Sequence, residues 1–113
     1  MILIGDVGGT KTEWMVLENG VYRTFKTIGV NLVHEKLTEF LKKVAKSLQP
    51  FSEADQVFLY FAGLLDVPRQ RRNAQNEIKK SFPRAKIAIE NDLLGAARGA
   101  YQTSPGWIGI LGT

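Results

Sequence analysis

The chain has no cysteine, which excludes disulfides, thiolate metal sites and a cysteine nucleophile within it. Histidine is nearly as scarce: His34 stands alone, so a histidine cluster cannot hold a metal. No apolar run approaches the ~20 residues that a membrane-spanning helix needs. Met1 leads into a short strand-like segment rather than a basic-then-apolar leader. Internal repeats and low-complexity tracts are also missing. The expectation from these absences is a globular cytoplasmic protein without a membrane partner.

What is present is 113 residues, 44% of them hydrophobic, which is enough for one domain with a real core. The net charge of +4 owes much to Arg69, Arg71, Arg72, Lys79 and Lys80, all in a segment that reads as helix. Such a cluster can mark a nucleic-acid surface. No aromatic or glycine-rich RNA motif accompanies it, so a solvated helix face is expected and nucleic acid is not.

Three strands open the chain. Ile2–Gly5 is a short apolar run, and the segments 13–18 and 21–27 flank Asn19-Gly20, two residues that tolerate the positive φ of a type I′ hairpin turn. From Val33 to Leu48 the apolar residues Val33, Leu37, Phe40, Leu41, Val44 and Leu48 recur at helical spacing, and Pro50 follows. Residues 57–62 read as a buried strand, 68–82 as a second helix and 86–90 as an alternating strand. Asp92 is placed to cap a third helix, and a last strand runs from Trp107 to Leu111. The order βββαβαβα plus one further strand argues for an α/β domain with a mixed sheet.

The stretch Gly5-Asp6-Val7-Gly8-Gly9-Thr10-Lys11-Thr12 is the first that suggests chemistry. A P-loop needs glycine where Thr10 stands, and it leads directly into a helix whose N-terminus faces the phosphates. Here the loop leads into a strand and a hairpin turn, so it is not a P-loop. Adjacent glycines in a hairpin can still cradle phosphate, because backbone N–H groups can approach the oxygens closely. Thr10 and Thr12 add hydroxyls, Lys11 adds charge, and Asp6 suits a hard cation such as Mg²⁺. A plain tight hairpin, with Asp6 as a turn former, explains the same letters.

These residues resemble the phosphate-1 loop of the actin-like, Hsp70-like and sugar-kinase ATPases. The resemblance continues in order along the chain. Gly29-Val30-Asn31 follows the third strand, Phe61-Ala62-Gly63 ends the fourth, Asn91-Asp92 follows the fifth, and Trp107–Thr113 leads towards a second phosphate loop. The set is most similar to the N-acetylglucosamine kinase branch of the BadF/BadG/BcrA/BcrD-type ATPases. That resemblance implies a ribonuclease H-like fold and a kinase that moves the γ-phosphate of ATP to a sugar hydroxyl, with ATP and Mg²⁺ as cofactors. It implies that Asp92 is the catalytic base and that Gly8, Gly9, Thr10, Lys11 and Thr12 bind ATP phosphates. Asp6 would hold the metal. Asn31, Ala62, Gly63, Asp92, Gly112 and Thr113 would meet the amino sugar. A last strand cut from its own sheet leaves an exposed edge, through which a homodimer is also open.

It further implies that 1–102 is an N-terminal domain, and that 103–113 is a linker with the first strand of a second, missing domain. Such a piece is expected to be inactive alone. Other readings stay open: an ROK-type hexose kinase, the ATPase activator of a 2-hydroxyacyl-CoA dehydratase, or a non-catalytic interaction domain. The ROK reading is opposed by the missing G-x-x-x-P-G run after the fourth strand. The activator family tends to show D-I-G-G-Q-D where this chain has Ile110-Leu111-Gly112-Thr113. Trp14 and Trp107 are expected in the core rather than against a sugar, Glu90 is expected to be structural, and His34 to start a helix.

Overall fold

The computed structural model describes residues 1–32, 34–61 and 68–90. Strands β1 (Ile2–Val7), β2 (Lys11–Glu18) and β3 (Val21–Ile28) form an antiparallel meander. Asn19 and Gly20 turn the second hairpin with φ of 55° and 76°, the left-handed pair that a type I′ turn requires. The chain then crosses through helix α1 (Leu37–Leu48) and a single 3-10 turn, Gln49–Phe51, to β4 (Gln56–Phe61). Helix α2 (Pro68–Ser81) leads to β5 (Lys86–Glu90). Both β4 and β5 run parallel to β1, which gives a mixed sheet of order β3-β2-β1-β4-β5 among the described residues.

The period of two sorts each strand onto two faces. On one face Leu3, Val7, Trp14, Val16, Val57, Leu59 and Ile89 meet Phe40, Val44 and Leu48 of α1 and Ala74 and Ile78 of α2. Ile2, Ile4, Met15 and Phe58 form a second apolar cluster on the opposite face. Trp14 belongs to the core, as expected, at 2% exposure. Phe25 of β3 stacks on Trp14 and on Phe51, with centroids 6.0 and 5.1 Å away. The 3-10 turn is thereby tied to the outermost strand of the meander.

At the opposite end of the sheet from the glycine loop, Asp55 joins three strands. Its N–H donates to the Met1 carbonyl and its own carbonyl accepts from Lys86 N–H, both at 2.9 Å. The Met1 ammonium lies 2.8 Å from the Asp55 carboxylate. That hydrogen bond, and then the ammonium's charge, hold the Asp55 carboxyl below its ordinary range. On α2, Arg69, Arg72, Lys79 and Lys80 are exposed while Ala74 and Ile78 face inward. Lys80 pairs with Glu77 at 3.0 Å, and the Lys79 ammonium donates to the Ala85 carbonyl.

Several boundaries differ from the sequence expectation, most of all around the glycine loop and at the start of α1. β1 and β2 extend further towards each other, because Val7 and Thr12 are both buried and pair across the ladder. The connecting loop is therefore only Gly8-Gly9-Thr10. α1 begins at Leu37 rather than at Val33. Before it, the Asn31 carbonyl accepts from the N–H groups of His34 and Glu35 at 3.0 and 2.8 Å, a tight turn that delays the helix. His34 lies in that turn and is exposed. Val33, the third helix at Asp92 and the strand from Trp107 lie outside the described residues.

Candidate functional site

Alternation along β1 carries Ile2, Ile4 and then Asp6 to one face, so Asp6 ends an otherwise apolar stripe at the strand's carboxyl end. Directly across β2 stands Glu13, and directly across β4 stands Tyr60. Tyr60 in turn faces Glu90 of β5. Residues opposite each other in a sheet share a face. Glu13, Asp6, Tyr60 and Glu90 thus form one row across four strands, at the carboxyl ends of the parallel ones. Ligands gather at such ends in α/β sheets.

Asp6 is half-buried, and its carboxyl is pushed above its ordinary 3.8. Burial is the main cause, the negative Glu13 adds to it, and Lys11 opposes it. The Lys11 ammonium sits 3.3 Å from Glu13. Two residues apart on one strand, they share the Asp6 face. The carboxylate therefore sits where a cation would relieve it.

The loop beside Asp6 is held by backbone. Gly8 N–H donates to the Lys11 carbonyl at 3.0 Å and closes the hairpin. Gly29 N–H donates to the Thr10 carbonyl at 3.0 Å, and Val30 N–H to the Gly8 carbonyl at 2.9 Å. Among the described residues no hydrogen bond engages the N–H of Gly9 or Thr10. Gly9, Thr10 and Lys11 are exposed. Among the described residues a Cβ placed on Gly9 would meet nothing within 4 Å, so the loop's tip is clear of them.

Two of the groups read from the letters have partners within the fold. Thr12 is fully buried, and its hydroxyl donates to the Ile28 carbonyl at 3.0 Å, on the helix-covered face of the sheet. It braces the end of β3. The Gly8 N–H is likewise taken by Lys11. Gly9, Thr10 and Lys11 remain as the loop groups open to an oxyanion, beside Asp6.

Asn31 is exposed, one residue beyond the Val30 that grips the loop. Its N–H donates to the Glu35 carboxylate at 3.3 Å. The remaining site residues named from the sequence, Ala62, Gly63, Asp92, Gly112 and Thr113, lie outside the described residues. Glu90, expected to be structural, falls in the Asp6 row. Sequence reading missed Glu13 and Tyr60 as neighbours of Asp6. The signal for Glu13 was present, since Lys11, Glu13 and Met15 share one strand phase. Tyr60 required the register of β4 on β1.

No group of three or more His, Asp or Glu side chains among the described residues is arranged to hold a metal. A protein cage for a cation is therefore not built there. A single oxygen ligand still fits Mg²⁺, which keeps several waters and is commonly held by one or two carboxylates together with substrate phosphates.

No family model matches the chain, nor does any curated protein. Among solved structures the chain is similar to a protein of Porphyromonas gingivalis provisionally assigned as an N-acetylglucosamine kinase. The two are 30% identical, with a TM-score of 0.68, over 87% of this chain and 36% of that one. The chain thus spans about a third of that protein's length. It is also similar to YeaZ from Pseudomonas aeruginosa, at 14% identity and a TM-score of 0.43, over 89% of this chain and 49% of that one. That second likeness is too distant to carry weight. The mixed sheet of order β3-β2-β1-β4-β5 with its two helices is the α/β, ribonuclease H-like fold of an actin-like ATPase N-terminal domain. No helix among the described residues is long and apolar enough to cross a membrane.

Proposed function

We propose that the chain is the N-terminal, phosphate- and sugar-binding part of an ATP-dependent amino-sugar kinase of the BadF/BadG/BcrA/BcrD type. The observation that carries this reading is the adjacency of three features: an exposed glycine hairpin, an Asp6 carboxylate poised for a cation, and Asn31 one residue from the loop's backbone clasp. The likeness to a provisionally assigned N-acetylglucosamine kinase supports the same choice of acceptor.

In this reading the N–H groups of Gly9 and Thr10, the Thr10 hydroxyl and the Lys11 ammonium meet the phosphate oxygens of ATP. Phosphoryl transfer asks a protein mainly to position groups and neutralise charge. Mg²⁺, bound by the phosphates and by Asp6 directly or through water, would supply part of that neutralisation. Asn31 can both donate and accept, so its amide grips neighbouring sugar hydroxyls. Asp92 follows β5 closely in the chain and takes the hydroxyl proton as that oxygen attacks the γ-phosphorus and ADP leaves. Ala62, Gly63, Gly112 and Thr113 complete the sugar side.

The adenosine moiety needs a second domain in this reading, so 1–102 forms the first and 103–113 enters the next. The test is amide NMR of the 113-residue chain titrated with Mg²⁺-ADP and, separately, with N-acetylglucosamine. Shifts centred on Gly8–Lys11 for the nucleotide and on Asn31 and its neighbours for the sugar are expected. A chain whose spectrum ignores both ligands would defeat the reading.

A further inference from the structure

We propose that Gly29 is a positioning residue that locks the phosphate loop to the Asn31 turn, so that occupancy of one is felt by the other. The proposal rests on the functional reading above for the identity of the ligands, though not for the coupling itself.

Both halves of the candidate site hang on one dipeptide. Gly29 N–H and Val30 N–H hold the carbonyls of Thr10 and Gly8, at 3.0 and 2.9 Å. These carbonyls belong to the Gly8–Gly9 and Thr10–Lys11 peptide units, so their anchoring holds the two units that flank the Gly9–Thr10 peptide at the loop's tip. On the other side, Val30 leads straight into Asn31, whose carbonyl and N–H organise the turn with His34 and Glu35. Val30 itself is 2% exposed and packed in the core, so little free space surrounds it to take up a displacement. A shift of the loop is felt in the Asn31 turn, because the link between them is two backbone hydrogen bonds and one tightly packed residue.

Only glycine permits this approach. A Cβ at position 29 would lie 2.1 Å from the Gly8 carbonyl oxygen and 2.6 Å from Lys11 N. Both obstacles are backbone atoms, so no side chain can swing aside to make room. Thr12 adds a second restraint just upstream. Its hydroxyl and that of Thr27 both donate to the Ile28 carbonyl at 3.0 Å, and Trp14 Nε1 donates to the Thr27 hydroxyl at 2.9 Å. The exit of β3 is therefore fixed from the core outward, and Gly29 is the point at which it touches the loop.

The test is Gly29→Ala in the 113-residue chain, read by amide NMR first without ligand. Resonances of Gly8–Lys11 and of Asn31–Glu35 are expected to move together while those of β4 and β5 stay in place. Changes limited to positions 28–30 would overturn the coupling. Mg²⁺-ADP is then the probe. In the unsubstituted chain its titration should shift Asn31 as well as the loop; in Gly29→Ala, affinity should fall about tenfold, as a strained backbone contact predicts, and the Asn31 response should vanish. Unchanged affinity with an intact Asn31 response would sink the proposal. If the unsubstituted chain ignores Mg²⁺-ADP, the nucleotide reading fails, and the ligand-free arm still decides the coupling. Should Gly29→Ala not fold, Thr12→Val is expected to move both segments in the same direction by a smaller amount, with Thr12→Ser restoring them. A Thr12→Val spectrum in which neither segment moves would count against it.

Discussion

Asp6 illustrates how a single residue can be placed against the interest of the fold. Its carboxyl is raised above 3.8 chiefly by burial and then by Glu13, so ionising it costs the folded state. A raised folded value means that the native form is favoured most while the group is protonated, and loses stability as pH rises through the folded pKa. Asp6→Asn is accordingly expected to melt at the same temperature as the parent in acid and above it at neutral pH. The gap should open as pH climbs past 3.8, reach under ~1 kcal/mol after solvent screening, and then level off. Thermal melts across pH would check it. In the same variant, Mg²⁺-dependent nucleotide binding should weaken. Thr12 carries a simpler expectation: Thr12→Val removes one buried donor from a carbonyl that Thr27 still serves, and should cost ~1 kcal/mol by denaturant titration.

At the scale of the element, the meander depends on its two ends being pinned differently. Gly20 turns the β2–β3 hairpin at φ 76°, so Gly20→Ala should lower stability by ~1 kcal/mol. Phe51 ties β3 to the helical layer through its stack on Phe25, with the Arg23 guanidinium 5.7 Å over the same ring. Phe51→Ala should cost about 3 kcal/mol and raise amide exchange in β3 well before β4 or β5. The hairpin was legible because Asn-Gly has few other uses between alternating strands. β4 and β5 were legible because their apolar runs are short and bounded. The start of α1 was not, since Val33 fits the helical period while the turn made by the Asn31 carbonyl has no signature in letters. The loop's true length was hidden for a related reason. The burial of the Thr12 side chain has no signature in letters, and the row linking Glu13, Asp6, Tyr60 and Glu90 needs cross-strand register that one sequence does not contain.

For the molecule as a whole, the division of labour predicted above has a kinetic consequence. If adenosine requires a second domain, the 113-residue chain should bind Mg²⁺-ADP weakly and release no measurable ADP from ATP when N-acetylglucosamine is added. A coupled assay showing robust turnover would contradict that. The same sheet has an outer boundary at β3, an eight-residue strand that has no neighbour on its far side among the described residues. Val21, Tyr22 and Ile28 are 65%, 51% and 49% exposed there, and only Arg23 and Lys26 punctuate the strand with charge. Mutual repulsion between such cations is what keeps open strand edges from templating one another. Since that repulsion fades within a few ångströms in concentrated electrolyte, storage in high salt would invite this domain to stack edge upon edge, and purification at low ionic strength would keep it dispersed.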